Sequence, residues 1–458
     1  MSVSKDIFNS YDVRGIYPDE LNEGGMRKIG RAFAEYLKNQ NDKSEMRIGV
    51  GNDMRESSTP LKEAVIQGVT QQGLDVVDLG LVSTPTFYFA VSHYGYDGGI
   101  NITASHNPQQ YNGAKLVGNQ SKPIGLSSGL DEIRDRALSE DFPEVDANGE
   151  VETREDIIED QLDFAFDFVN PEKIKPYKVV VDTGNGMGGP LLEQLFNRLP
   201  CKLDKMYFEM DGAFPNHEAN PLVEENNEDI RERIQNTDAD LGIATDGDAD
   251  RIFFFDENGE TIEPAIIRGI MAKLFLQRNP GAPICYDVRP GKITIDMIEE
   301  NGGEPIVTKV GHSNIKKKAR EVNAPFAGES SGHFFVDTGK GIYETPEIIA
   351  LMLLEEFSKN EDKVSEYIKP LRERYAHSGE INFLVDDKDA VFDRLREEYG
   401  ENDIKHDFDG LTFEYSDWWF NVRKSSTTDK VRLNLEAENE EIMKEKVKEV
   451  KQQILDHS

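Results

Sequence analysis

The sequence predicts an α/β protein in which three similar α/β/α domains with mixed sheets precede a C-terminal α+β domain, all arranged around a central cleft. Three observations predict it. A chain of 458 residues is too long for a single hydrophobic core. A strand–helix–strand pattern recurs three times along the chain. The tail abandons that pattern for closely spaced β-rich runs, the form of an antiparallel sheet.

Each copy opens with a short β-rich run that ends in Asp and turn residues, at 47–53, 178–186 and 284–291. A helix-like stretch follows, such as 61–69, with apolar residues at helical spacing. Second β-rich runs come at 74–80, 201–208 and 304–311. Strand, helix and strand in this order form a parallel crossover. Each copy then reaches a polar, Gly-containing loop, at 99–108, 241–251 and 325–333. Loops at strand ends are where α/β sheets bind ligands, so three equivalent domains can turn three such loops toward one cleft. The tail reads E-I-N-F-L-V, then a helix, then β-rich runs at 411–415, 418–422 and 431–437, and a charged helix over 438–456. The acidic stretch 137–160 reads as a linker.

Charge narrows the function. The chain carries 87 acidic and 52 basic residues, a formal net charge of -35. Nucleic acid is not an expected partner, because binding it needs a cationic face. An anionic membrane surface is disfavoured for the same reason. The acids are spread along the chain, so the surface is strongly solvated and suits concentrated salt, which screens its self-repulsion. The expectation is a salt-loving, halophilic source. Two cysteines, Cys201 and Cys285, cannot build a disulfide framework. No signal core or membrane-spanning run is present, so the expected location is cytoplasmic.

Four loops carry chemistry. D-G-D-A-D-R places Asp246, Asp248 and Asp250 at alternate positions after an apolar strand. Three like charges this close repel, and a cation removes the cost. Carboxylate oxygens suit Mg²⁺. A solvated Asx turn and a calcium loop are the alternatives. Against calcium, Arg251 stands where an EF-hand needs Gly, and 252–255 reads as a strand. T-A-S-H-N-P sets Ser105 beside His106, with Asn107-Pro108 forcing a turn. Its hydroxyl is a candidate nucleophile or phosphate carrier. Lys115 follows ten residues on. R-K-S-S-T-T gives Arg423, whose guanidinium can fork onto phosphate, with Ser425, Ser426 and Thr427 to complete an anion cradle. An ordinary polar hairpin is the competing reading. G-E-S-S-G-H offers Glu329 and Ser331 on one side of an extended segment, a pair suited to sugar hydroxyls.

Together these loops resemble the α-D-phosphohexomutase family, which includes phosphomannomutases and phosphoglucomutases. T-A-S-H-N-P is similar to the family's phosphoserine loop, D-G-D-A-D-R to its metal loop, and G-E-S-S-G-H to its sugar-recognition loop. R-K-S-S-T-T-D-K-V-R is similar to its phosphate-binding loop. Smaller matches are Y-D-V-R-G (11–15) and V-G-H-S-N-I-K (310–316). The resemblance runs in order from about residue 8 to 437. Departures are Ser426 for the usual Asn, Thr428-Asp429 for Glu-Pro, and Ala249 for Gly.

The resemblance implies an intramolecular phosphotransferase that interconverts hexose 1-phosphate and hexose 6-phosphate, of mannose or glucose, through a hexose 1,6-bisphosphate. It implies a phosphoserine at Ser105, and one Mg²⁺ held by Asp246, Asp248, Asp250 and the Ser105 phosphoryl group. Arg14, His106 and Arg251 would support that group. Lys115 and His312 would serve acid–base work, for which Lys115 needs a lowered pKa. A purely electrostatic Lys115 and a helix-capping His312 stay open. Glu329, Ser331 and His333 would contact the sugar, and Arg423, Ser425, Ser426 and Thr427 the distal phosphate. The four domains would be 1–150 with the phosphoserine loop, 151–257 with the metal loop, 258–372 with the sugar loop and 373–458 with the phosphate loop. A monomer or homodimer is expected. The rivals are a phosphoglucosamine mutase, a sugar-phosphate phosphatase and a non-catalytic sugar-phosphate binder. Assays with glucosamine phosphate, release of free phosphate and absence of turnover separate them in that order.

Overall fold

The computed structural model describes residues 3–41, 43, 45–289, 291–425 and 429–455. The chain divides into two compact units. One comprises the residues up to Thr261 together with His333–Val364. The other comprises Ile262–Gly332 and the chain from Ser365 onward.

The first unit holds two mixed sheets. In the first, the order is Val13–Ile16, Tyr111–Gly118, Gly98–Ile102, Arg47–Asn52, Asp75–Leu81 and Val151–Thr153. Arg47–Asn52 is parallel to both its neighbours, and Tyr111–Gly118 is antiparallel to both of its own. The central strands are buried on both faces, which is why they read as continuous apolar runs. Helices Glu23–Gln40 and Ser58–Thr70 cross so closely that a Cβ on Gly68 would stand 2.2 Å from the Arg27 carbonyl oxygen. In the second sheet Ile252–Asp256, Leu241–Thr245, Lys178–Asp182 and Lys202–Met206 lie in that order. The first pair is antiparallel and the rest parallel.

The acidic stretch expected to be a linker is structured. Val151–Thr153 adds a parallel edge strand beside Asp75–Leu81, and helix Ile157–Phe166 follows. All three strand side chains are exposed, so backbone hydrogen bonds hold it and no apolar alternation announces it. Arg47 forms an ion pair with Glu152 across this edge.

The segment His333–Val364 belongs to the first unit. Tyr343 joins Phe87 and Tyr88 in one core cluster. Helix Pro346–Phe357 is buried around nearly its whole circumference, lying against Ile157–Phe166 and Gly188–Asn197.

The second unit contains the parallel trio Glu304–Thr308, Pro283–Asp287 and Phe326–Gly328. It also contains the antiparallel tail sheet, ordered Ala376–His377, Lys430–Ala437, Trp418–Lys424, Leu411–Glu414 and Ile404–His406, with Ile381–Leu384 also on Lys430–Ala437. An aromatic cluster of Tyr399, Phe413, Trp418 and Phe420 fills its core. Among the described residues no helix is long and apolar enough to cross a membrane.

Candidate active site

Strand Gly98–Ile102 delivers the T-A-S-H-N-P loop, and strand Leu241–Thr245 delivers D-G-D-A-D-R. The two loops meet. A Cβ on Gly247 would stand 2.5 Å from the Ser105 carbonyl oxygen, so only glycine permits this approach. Ser105 has a φ of 52°, in the left-handed region where non-glycine residues are uncommon. Its amide donates to Thr103 Oγ1 at 2.9 Å. Its Oγ lies 3.1 Å from His106 Nδ1 and 3.3 Å from Asp246 Oδ2.

Asp246, Asp248 and Asp250 are all buried, and each offers a carboxylate oxygen within 4.8 Å of the others. Burial and the two neighbouring carboxylates push Asp246 up to about 8. Burial would also raise Asp250, but Lys115 and His333 outweigh it and hold Asp250 well below the usual range. Asp248 Oδ2 accepts from Thr84 Oγ1 at 2.6 Å and from Lys115 Nζ at 2.6 Å, while its Oδ1 has no hydrogen-bond partner among the described residues. An orphaned buried carboxylate oxygen beside two more carboxylates fits a hard divalent cation such as Mg²⁺, which binds oxygen ligands.

Cations ring the trio. Lys115 Nζ also reaches Asp250 Oδ2 at 2.5 Å. The lowered pKa expected for Lys115 is not found. Burial alone would lower it, but Asp248 and Asp250 hold it well above its ordinary value. Arg251 donates its backbone N–H to Asp246 Oδ1 at 3.1 Å, and its Nε lies 3.7 Å from Asp246 Oδ2. His333 Nε2 lies 3.1 Å from Asp250 Oδ1 and 3.3 Å from Arg251 Nε. His333, expected at the sugar, is thus placed against the carboxylates. Arg14 donates to Asn107 Oδ1 at 2.6 Å and to Asp12 Oδ2 at 2.5 Å. Burial, with Arg251 and Arg14, pushes His106 down to about 2. Ala249 has a φ of 62°. The conformation is thus one that glycine adopts freely and alanine only with strain of roughly 1–2 kcal/mol.

The loop that carries the three aspartates rests on two neighbours. Gly247 N donates to the Ala219 carbonyl at 3.1 Å, and Met187 N to the Gly247 carbonyl at 2.9 Å. Beneath them His217 Nε2 lies 3.0 Å from Asp182 Oδ2, and Nδ1 lies 2.9 Å from the Glu218 carbonyl. Burial lowers the His217 pKa, but Asp182 outweighs it and the net shift is upward. A histidine raised in the folded state stabilises fully below its unfolded value of about 6.5, and loses that contribution as pH rises through the folded value. The variant His217→Asn should therefore flatten the fall in urea midpoint from pH 6 to pH 8. Identical slopes in variant and parent would refute the assignment.

In the second unit, Glu329 follows strand Phe326–Gly328 and is buried. The chain turns after it, with Gly332 N donating to the Glu329 carbonyl at 3.2 Å, so the loop is not the extended segment expected. Glu329 Oε1 accepts from Gly311 N at 2.6 Å, just before His312, which begins helix His312–Val322. Asp287, missed in the sequence, organises the loop. It accepts from Ser330 N and Oγ, both at 3.0 Å, and from the buried Arg268 at 3.4 Å. It also accepts from Arg289 Nη2 at 2.5 Å, and that guanidinium reaches Ser331 Oγ at 3.4 Å. Arg423 pairs with Glu380 Oε2 at 3.1 Å, and Arg432, its cross-strand neighbour, with Oε1 at 3.3 Å. Ser425 N donates to the Lys430 carbonyl at 2.9 Å. Ser426, Thr427 and Thr428 lie outside the described residues. Asp429 is exposed, 3.7 Å from Lys388 Nζ, which offsets the negative charge that it adds to the loop.

Mixed α/β sheets that carry a serine against a buried aspartate trio, followed by an antiparallel C-terminal sheet, define the class, and the chain belongs to the phosphoglucomutase/phosphomannomutase family. The α/β/α domains I, II and III of that family match residues 5–144, 156–259 and 263–375, and its C-terminal domain matches 380–454. The chain is 38% identical over 452 residues to a phosphomannomutase of Vibrio cholerae, covering 97% of each chain. It is 37% identical over 439 residues to a phosphomannomutase of Escherichia coli K12, covering 94% of each. Its fold superposes on a phosphoglucomutase/phosphomannomutase family protein of Burkholderia thailandensis with a TM-score of 0.88 at 33% identity, covering 99% of this chain and 97% of the other.

Proposed function

We propose that this chain interconverts hexose 1-phosphate and hexose 6-phosphate, with mannose or glucose as the sugar, by way of a phosphoryl group carried on Ser105. The observation that carries the reading is the Ser105 hydroxyl 3.3 Å from Asp246 Oδ2, within a buried group of three carboxylates. In the forward half-reaction the P–O bond to Ser105 breaks as a bond forms from phosphorus to the sugar's free hydroxyl oxygen. That hydroxyl's proton passes to the protein, and Ser105 Oγ takes one up as it leaves. His312 is the group assigned to accept and Lys115, protonated at rest, the group assigned to donate, and the two transfers reverse in the second half-reaction. In the second half-reaction Ser105 Oγ takes the other phosphoryl group from the hexose 1,6-bisphosphate. Arg14, His106 and Arg251 steady the phosphoryl oxygens through both halves. Asp246, Asp248 and Asp250 would hold Mg²⁺ together with that phosphoryl group. Bound magnesium supplies positive charge against the transferring group, the compensation that phosphoryl transfer requires.

Glu329 and Ser331 hold ring hydroxyls, with Arg289 beside Ser331 as a further donor. Arg423, Ser425, Ser426 and Thr427 hold the phosphate that is not being transferred, which orients the free hydroxyl for attack. Four modules over 1–150, 151–257, 258–372 and 373–458 would contribute the four loops. The deciding experiment is intact mass spectrometry with peptide mapping. The peptide containing Ser105 should carry one phosphoryl group that exchanges with labelled hexose phosphate. A peptide that never carries phosphate would end the proposal.

The surface charge supports a second part of the reading, a cytoplasm of high salt. With a net charge of -35, self-repulsion in dilute buffer opposes the compact state. The thermal midpoint should rise steadily from about 0.1 M to about 1 M KCl as the Debye length falls from about 10 Å toward about 3 Å. A midpoint independent of salt would remove this reading and leave the enzymatic one untouched.

A further inference from the structure

Arg55 lies three residues beyond strand Arg47–Asn52 and is 2% exposed. A guanidinium has five N–H donors, and here each finds an acceptor. Nε donates to Asp53 Oδ2 at 3.2 Å. Nη1 donates to the carbonyls of Pro108 at 3.0 Å and Tyr111 at 3.1 Å. Nη2 donates to the carbonyls of Ser105 at 2.9 Å and Asn107 at 2.6 Å. Four of the five bonds thus close on the backbone of one loop and the first residue of the strand that follows it. Asp53 is itself fixed, accepting from Ser58 Oγ at 2.5 Å and from Arg55 N at 3.1 Å. The ring of Phe214 lies 5.1 Å from the guanidinium carbon. A Cβ on Gly212 would stand 2.6 Å from Arg55 Cα, so this neighbour closes tightly over the residue.

We propose that Arg55 is the positioning residue for the phosphoryl-carrying serine, holding the 105–111 backbone so that Ser105 keeps its left-handed conformation and its Oγ faces the aspartate trio. The inference rests on the reading of Ser105 as the phosphoryl carrier. A non-glycine residue in that conformation is strained by about 1–3 kcal/mol and persists only where its surroundings over-determine it. Without the guanidinium, the four carbonyls lose their common donor and the loop can relax toward ordinary φ. Misplacing a reacting atom by about 1 Å costs roughly 10²-fold in rate. The effect acts through Ser105 and should leave sugar-phosphate binding alone.

The test compares Arg55→Lys and Arg55→Ala with the parent enzyme. Lysine keeps the charge but has a single nitrogen that cannot span four carbonyls. Arg55→Lys should lower kcat by about 30- to 100-fold with KM changed by less than about threefold. Methylguanidinium at non-denaturing concentration should restore part of the kcat of Arg55→Ala. Hydrogen exchange in Arg55→Lys should quicken at amides of 105–111 and stay slow in strand Gly98–Ile102. An unchanged kcat, a loss expressed in KM, or unaltered exchange in the loop would overturn the proposal. If Arg55→Ala does not fold, Arg55→Lys and its exchange pattern decide alone. A parent enzyme with no phosphate on Ser105 would fail the functional reading, whereas phosphate on Ser105 with full activity in Arg55→Lys would fail only the role of Arg55.

Discussion

Replacing Ser105 by alanine is expected to lower hexose-phosphate interconversion by at least about 10⁴-fold, the scale seen when a covalent carrier is removed. The substitution deletes one oxygen and its contacts to His106 Nδ1 and Asp246 Oδ2. It leaves the backbone bonds from Arg55 to the loop in place, because these use carbonyls. The fold should therefore persist. Asp246, Asp248 and Asp250 all remain, so added Mg²⁺ should still raise the thermal midpoint of the variant. Binding of a hexose phosphate, read by calorimetry, should stay within a few-fold of the parent. This pattern of retained binding and lost turnover is specific to a residue that acts only in the chemical step. Residual turnover near the parent level would mean that the phosphoryl group does not pass through Ser105. Loss of the Mg²⁺-dependent shift would instead mean that the hydroxyl is needed to assemble the metal site.

What could be read ahead of the structure follows from how local each signal is. The strands Arg47–Asn52, Lys178–Asp182 and Pro283–Asp287 were legible because strands buried on both faces make apolar runs ending in turn residues. Val151–Thr153 was not, since its exposed side chains leave only the backbone to pair. Helix Pro346–Phe357 is apolar nearly all round, and such a surface does not say what it lies against. At the site, the aspartate trio announced itself by spacing within five residues. Lys115 did not announce its charge state. The carboxylates that hold it up, Asp248 and Asp250, lie 133 and 135 positions away. Arg55 and Asp287 were invisible for the same reason. A single arginine or aspartate after a strand is ordinarily solvated, and only the fold brings loop carbonyls to one and two guanidiniums to the other. The pairing of Arg423 and Arg432 with one carboxylate, Glu380, likewise appears only once three strands are in register.

Glu347→Gln should gain stability on the parent by an amount that grows from about pH 4.3 to about pH 7 and holds above it. Glu347 sits in the first turn of helix Pro346–Phe357 and is 2% exposed. Its Oε2 has no hydrogen-bond partner among the described residues. Burial pushes its pKa up to about 7, and the amide of Gln161 offsets this only in part. A carboxyl raised in the folded state holds its proton there after the unfolded chain has released it. The folded state then binds more protons than the unfolded one, so stability falls as pH rises. Below about pH 4.3, where both states are protonated, Glu347 exacts no penalty. The penalty grows between there and pH 7 and is complete above it. A shift from about 4.3 to about 7 corresponds to about 3 to 4 kcal/mol. Glutamine is isosteric and never ionises. Glu347→Gln should therefore lie about 1 kcal/mol below the parent near pH 4.5, the cost of burying the extra amide hydrogens, and exceed it by about 2 to 3 kcal/mol at pH 8. Urea unfolding of both proteins at the two pH values, in the same high salt, reads the difference of differences and cancels every other titrating group. An equal gap at both pH values would mean that Glu347 is not neutral when folded, and a destabilised variant at pH 8 would mean that its charge is satisfied by a partner or by solvent.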